Sequence, residues 1–69
     1  MKSPKQIGKL LKKTRKSLGL TQEQVAKKAG ITSNYYSMIE RGERDNAGSK
    51  VMSKIVKVLK LNPSDVFPY

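Results

Sequence analysis

The chain has 69 residues, and 15 Lys and Arg against 5 Asp and Glu give it a formal charge of +10. It has no cysteine and no histidine, which excludes disulfides and thiolate metal sites and removes the commonest general base and metal ligand. No apolar run is long enough to cross a bilayer or to form the core of a signal peptide, so the expected compartment is the cytoplasm, with no cofactor and no metal.

A chain of this length reads as one domain, residues 1–69. A core of this size supplies roughly 3–5 kcal/mol, so the helices must be well capped and densely packed. A charge of +10 opposes compaction. Such a charge calls for an anionic partner, with nucleic acid the first candidate.

Ser3-Pro4-Lys5-Gln6 is a helix start: Ser3 is the N-cap, Pro4 the first helical residue and Gln6 the closing residue of a capping box. Ile7, Leu10, Leu11, Thr14 and Leu18 then lie on one helical face. Lys5, Lys9, Lys12, Lys13 and Lys16 lie mostly off it, and Gly19 marks the end. Thr21-Gln22-Glu23-Gln24 is a second capping box, opening a short helix with Val25, Ala26 and Ala29 on its inner side and Gly30 at its end.

Thr32 is the expected N-cap of a third helix, from Ser33 to Glu40 or Arg41, which turns Tyr36 and Ile39 inward. Asn34, Ser37, Met38 and Arg41 share another face. The polar stretch from Glu43 to Gly48 is a loop. A fourth helix is expected from about Ser49 to Lys60, with Val51, Met52, Ile55, Val56, Val58 and Leu59 as its apolar surface. Asn62-Pro63-Ser64-Asp65 signals a fifth, short helix. The sequence has no strand alternation, repeat or low-complexity tract.

The expected fold is therefore all-α and compact, with five helices. Its second and third helices are joined through Ala29-Gly30-Ile31-Thr32 as a helix-turn-helix spanning about residues 22–41. From Ile7 to Phe67 the sequence resembles the Xre/Cro-type, lambda-repressor-like family. The resemblance is carried by Leu18-Gly19-Leu20-Thr21-Gln22-Glu23-Gln24-Val25-Ala26, by Ala29-Gly30-Ile31-Thr32 and by Tyr35-Tyr36-Ser37-Met38-Ile39-Glu40-Arg41-Gly42. Ile55-Val56-Lys57-Val58-Leu59 and Ser64-Asp65-Val66-Phe67 also fit.

The resemblance implies a role for each matching residue. Ser33, Asn34, Ser37 and Met38 lie where the family meets base edges in the major groove. Asn34 suits a bidentate contact to adenine. Met38 is either a contact for a thymine methyl or a bystander, and such thin direct readout leaves room for DNA shape. Gln22, Tyr35, Arg41, Arg44 and Asn46 match phosphate-contacting positions. Gln22 also reads as a plain capping-box residue and Tyr35 as core packing. Tyr36 takes a position usually aliphatic and is expected to be buried. Arg15 and Glu40 match a structural ion pair joining the first helix to the third. Val66, Phe67 and Tyr69 match a dimer interface, although Phe67 alternatively closes the monomer core.

The implied function is sequence-specific DNA binding by a transcriptional regulator, most readily a repressor. It would bind a near-palindromic operator as a homodimer that DNA strengthens. The partner is double-stranded DNA, with no membrane and no small-molecule substrate. Nothing in the sequence assembles a catalytic constellation, so no enzyme activity is expected. The alternative is an antitoxin-like or other protein-interaction module that also binds DNA. A basic module coating RNA or membrane fits less well, because the chain has four aromatics (3 Tyr, 1 Phe) and no expected sheet to stack bases on.

Overall fold

The computed structural model describes residues 3–43, 49–62 and 64. In chain order these form α1 (Pro4–Ser17), α2 (Gln22–Ala29), α3 (Ser33–Glu40) and α4 (Ser49–Val58). The helices begin where the sequence provides side-chain acceptors for their unpaired N–H groups. Ser3 Oγ accepts from Gln6 N–H at 3.2 Å while Gln6 Oε1 accepts from Ser3 N–H at 2.8 Å. Thr21 and Gln24 repeat this reciprocal box at 3.1 and 2.8 Å. Thr32 Oγ1 accepts from Tyr35 N–H at 3.1 Å. Each such cap contributes about 1 kcal/mol, a large share for a core of this size.

All four helices end in the same way. The N–H of Leu20, Ile31, Glu43 and Leu61 each reaches back five residues, to the carbonyls of Arg15, Ala26, Met38 and Val56, at 2.9–3.1 Å. This closure requires a left-handed residue just before the donor. Glycine fills that position in the first three cases, Gly30 with φ 72° in the turn between α2 and α3. In the fourth it is Lys60, with φ 57°. The turn from α2 to α3 is thus only Gly30, Ile31 and Thr32, which fixes the two helices closely.

The core lies where the inner faces of the helices meet. Leu11 from α1, Val25 from α2, Tyr36 from α3, and Ile55 and Leu59 from α4 and its end are fully enclosed. Ala26, Ala29, Ile39, Met52 and Val56 complete it. α2 packs on both α3 and α4, and α1 packs on α3. No helix of the described residues is long and apolar enough to cross a membrane.

Three expectations need correction. Leu18, expected on the inner face of α1, is 42% exposed; it is the C-cap residue, past the last helical turn. α4 stops at Val58 and not at Lys60, because Lys60 has already turned left-handed. The expected count of five helices is replaced by four among the described residues. Of the stretch in which the fifth was expected, only Asn62 and Ser64 are described.

Candidate nucleic-acid interface

α3 presents two contrasting sides. Tyr36, Ile39 and Glu40 are buried. Ser33, Asn34 and Arg41 are exposed, and Tyr35, Ser37 and Met38 are half-buried. Tyr35 also packs against the core. Asn34, Ser37, Met38 and Arg41 recur at helical spacing, so they form one stripe on the outer side. Within the stripe the Ser37 hydroxyl donates to the Asn34 carbonyl at 2.9 Å. The Arg41 guanidinium forms an exposed ion pair with Glu43.

A buried polar cluster fixes the inner side. Arg15 Nε donates to Glu40 Oε2 at 2.7 Å and Nη2 donates to Oε1 at 3.3 Å, a two-point contact. Nη1 of the same guanidinium donates to the Leu20 carbonyl at 2.8 Å. Gln22 Nε2 donates to Glu40 Oε1 at 3.0 Å. The Glu40 carboxylate therefore joins α1, the start of α2 and the end of α3, and the Arg15 guanidinium adds the α1–α2 turn. The Arg15 and Glu40 side chains are only 11% and 2% exposed.

Burial opposes the charge on Glu40, but the hydrogen bond from Arg15, the neighbouring Tyr36 hydroxyl, the hydrogen bond from Gln22 and the Arg15 charge together outweigh it and hold the carboxyl below its ordinary value. The hydrogen bond that Arg15 donates to Glu40 in turn outweighs burial and keeps Arg15 firmly charged. The Tyr36 hydroxyl is buried close enough to feel both charges, yet it makes no hydrogen bond of acceptable geometry. Burial first, and then the Glu40 carboxylate, push its ionisation far above the ordinary tyrosine range.

The rest of the anchoring is steric. A Cβ added to Gly8 would lie 2.2 Å from the Glu40 carbonyl oxygen and 2.8 Å from that of Ile39. α1 thus crosses the C-terminal end of α3 at backbone contact. The same end is gripped again at Gly42, whose Cβ would lie 2.7 Å from Lys5 Cγ.

Charge is distributed unevenly over this scaffold. Between Ser33 and Glu40 there is no Lys or Arg, and the one acid is the buried Glu40. Exposed lysines are carried by α1 (Lys5, Lys9, Lys12, Lys13 and Lys16), by the end of α2 (Lys27 and Lys28) and by α4 (Lys50, Lys54 and Lys57).

The structure thus brings Ser33, Asn34, Ser37 and Met38 onto one helix, with Arg41 just beyond it and Gln22 tied to its far end through Glu40. Arg44, Asn46, Val66, Phe67 and Tyr69 lie outside the described residues. The sequence reading missed the Gly8 contact, the Gln22–Glu40 bond and the unpaired Tyr36 hydroxyl. A glycine inside an otherwise regular helical pattern was the available signal for the first. Among the described residues no cluster of His, Cys, Asp and Glu could hold a metal ion.

The helix-turn-helix family profile matches residues 11–66. The HTH-type transcriptional regulator SinR of Bacillus subtilis (strain 168) is 34% identical over 56 residues, which is 81% of this chain and 50% of that protein. SlrR of the same organism, also an HTH-type transcriptional regulator, is 30% identical over 61 residues, 88% of this chain and 40% of that protein. The chain therefore spans half or less of the length of these relatives. The crystal structure of the clp gene regulator ClgR from C. glutamicum shares the fold, with a TM-score of 0.81 at 24% identity, over 91% of this chain and 80% of that one. The chain belongs to the helix-turn-helix family of the Xre/Cro type.

Proposed function

We propose that this chain is a sequence-specific DNA-binding domain of a transcriptional regulator, with α3 as the helix that enters the major groove. One observation carries the reading. The outer stripe of α3 is exposed at Asn34 and Arg41 and half-exposed at Ser37 and Met38, while its inner side is held by the Arg15–Glu40–Gln22 cluster and the Gly8 contact. A helix that must read base edges needs such a rigid mount. The relatives named as transcriptional regulators support the same reading.

In this reading Ser33, Asn34, Ser37 and Met38 face the bases. Gln22, Tyr35 and Arg41, together with Arg44 and Asn46 further along the chain, hold phosphates. The Gln22 amide suits this dual duty: one Nε2 proton serves Glu40, and the second is directed to a phosphate oxygen. The lysines of α1, α2 and α4 supply a general positive field that speeds association. The chain acts as a binding module, and catalysis forms no part of the reading.

Specificity at the level of an operator calls for two copies. A homodimer through Val66, Phe67 and Tyr69 would read a near-palindromic site with half-site centres about 34–36 Å apart. Repression follows where such a site overlaps a promoter. The test is selection of bound duplexes from a random pool at about 150 mM salt. Enrichment of an inverted repeat with that spacing supports a dimeric reader. A pool without enrichment, bound only at low salt, leaves the electrostatic component alone and overturns the reading.

A further inference from the structure

The proposed DNA reading leaves open which bases α3 selects, and the chemistry of its outer stripe narrows the choice. The commonest specific contact to guanine is a Lys or Arg donating to both O6 and N7. α3 has neither between Ser33 and Glu40. Arg41 is the nearest guanidinium, but it follows the last helical residue and is paired with Glu43. That end of a recognition helix rises out of the groove toward the backbone.

Two side chains on the stripe carry distinct chemistry. Asn34 is exposed and offers one donor and one acceptor in a plane. Adenine matches it with the N7 acceptor and the N6 donor, whereas guanine presents two acceptors and would oppose the amide oxygen. Met38 lies one turn further along the same face, half-exposed and apolar. In the major groove the one apolar group on a base edge is the thymine C5-methyl. Between them Ser37 has already committed its proton to the main-chain carbonyl of Asn34, so its oxygen is left to accept.

We infer that α3 is a reader of A·T pairs, with Asn34 holding adenine and Met38 packing on the methyl of a thymine one or two steps away. The step between them follows from helix geometry: side chains four apart lie about 5–6 Å apart, and bases on one strand rise about 3.4 Å per step. The inference rests on the proposed groove contact of α3. Its failure is separable from failure of that contact.

The experiment uses a synthetic duplex of about 30 base pairs carrying the selected repeat. Each thymine is replaced in turn by deoxyuridine, which removes only the methyl group. Each adenine is replaced in turn by guanine, with cytosine opposite. Wild-type protein should lose about three- to fivefold in affinity at one deoxyuridine position per half-site, the effect of one buried methyl. It should lose roughly 5- to 150-fold at one adenine position. Met38→Ala should abolish the first loss and Asn34→Ala the second. Both variants alter half-exposed or exposed side chains, and an unchanged Tm shows that they fold.

A selected repeat with G·C at the positions facing α3 would overturn the inference and leave the DNA reader intact. Deoxyuridine losses unchanged by Met38→Ala would do the same. A pool with no enrichment would overturn both.

Discussion

Gly8 and Glu40 are in backbone contact: the Cβ that Gly8 lacks would sit 2.2 Å from the Glu40 carbonyl oxygen. The residue that supplies the buried carboxylate of the cluster therefore also sets how closely α1 approaches α3. In an ordinary helix interior, glycine to alanine is stabilising by about 1 kcal/mol. Here the neighbour is backbone and cannot swing away. Gly8→Ala should instead destabilise by about 1–3 kcal/mol or more, lowering Tm on the order of 10 °C. A rise in Tm on thermal unfolding would contradict the close crossing.

The Arg15–Glu40 pair should behave as a buried pair. Glu40→Gln leaves the Arg15 guanidinium buried opposite a neutral group, a loss of about 3–5 kcal/mol. That equals the whole stability expected of so small a core, so the variant should be largely unfolded at 37 °C. Calorimetry or circular dichroism would measure it.

The pH dependence has a definite sign. The native carboxyl of Glu40 ionises below its ordinary value. The unfolded chain binds the proton more readily, so the stabilisation is complete above the unfolded carboxylate value of about 4.3. It is lost as pH falls through the depressed native value. Wild-type Tm should fall steeply in acid and converge on that of Glu40→Gln. Parallel Tm profiles from pH 7 to pH 2 would contradict this.

Tyr36 offers the opposite test. Its ring fills the core, but its hydroxyl is buried without a hydrogen-bond partner. An unpaired buried hydroxyl costs about 1–3 kcal/mol. Tyr36→Phe keeps the ring, so it should raise stability by about 1 kcal/mol and Tm by several degrees. A fall in Tm would show that the hydroxyl contributes a favourable interaction with Glu40 or Arg15.

Lys60, just past the end of α4, has φ 57°, a conformation that costs a residue with a Cβ about 1–2 kcal/mol. The side chain is exposed. Lys60→Gly should therefore stabilise by about 0.5–1 kcal/mol, after allowing for the greater freedom of glycine in the unfolded chain. Equilibrium urea unfolding would detect it as a higher midpoint at unchanged slope.

The local signals in the sequence translate directly into structure because they act over three to five residues. Ser3 with Gln6, Thr21 with Gln24, and Gly30 each specify a helix boundary without reference to the rest of the chain. The end of α4 was missed because its left-handed residue is a lysine, which carries no such signal. Gly8 was missed because its meaning depends on how α1 and α3 cross, which no periodicity encodes. Arg15 and Glu40, 25 residues apart, were paired through the family resemblance and not by spacing. In the sequence Gln22 stands out only by its capping position and its match to a phosphate contact. Its bond to Glu40 depends on tertiary geometry.

The most direct test of α3 as the reading helix is an NMR titration of the 15N-labelled chain with a duplex carrying the selected repeat at about 150 mM salt. The largest amide shifts should fall at Ser33, Asn34, Ser37 and Met38, with a second group at the start of α2 around Gln22. Shifts confined to the lysine-bearing faces of α1 and α4, with the α3 amides unmoved, would contradict it.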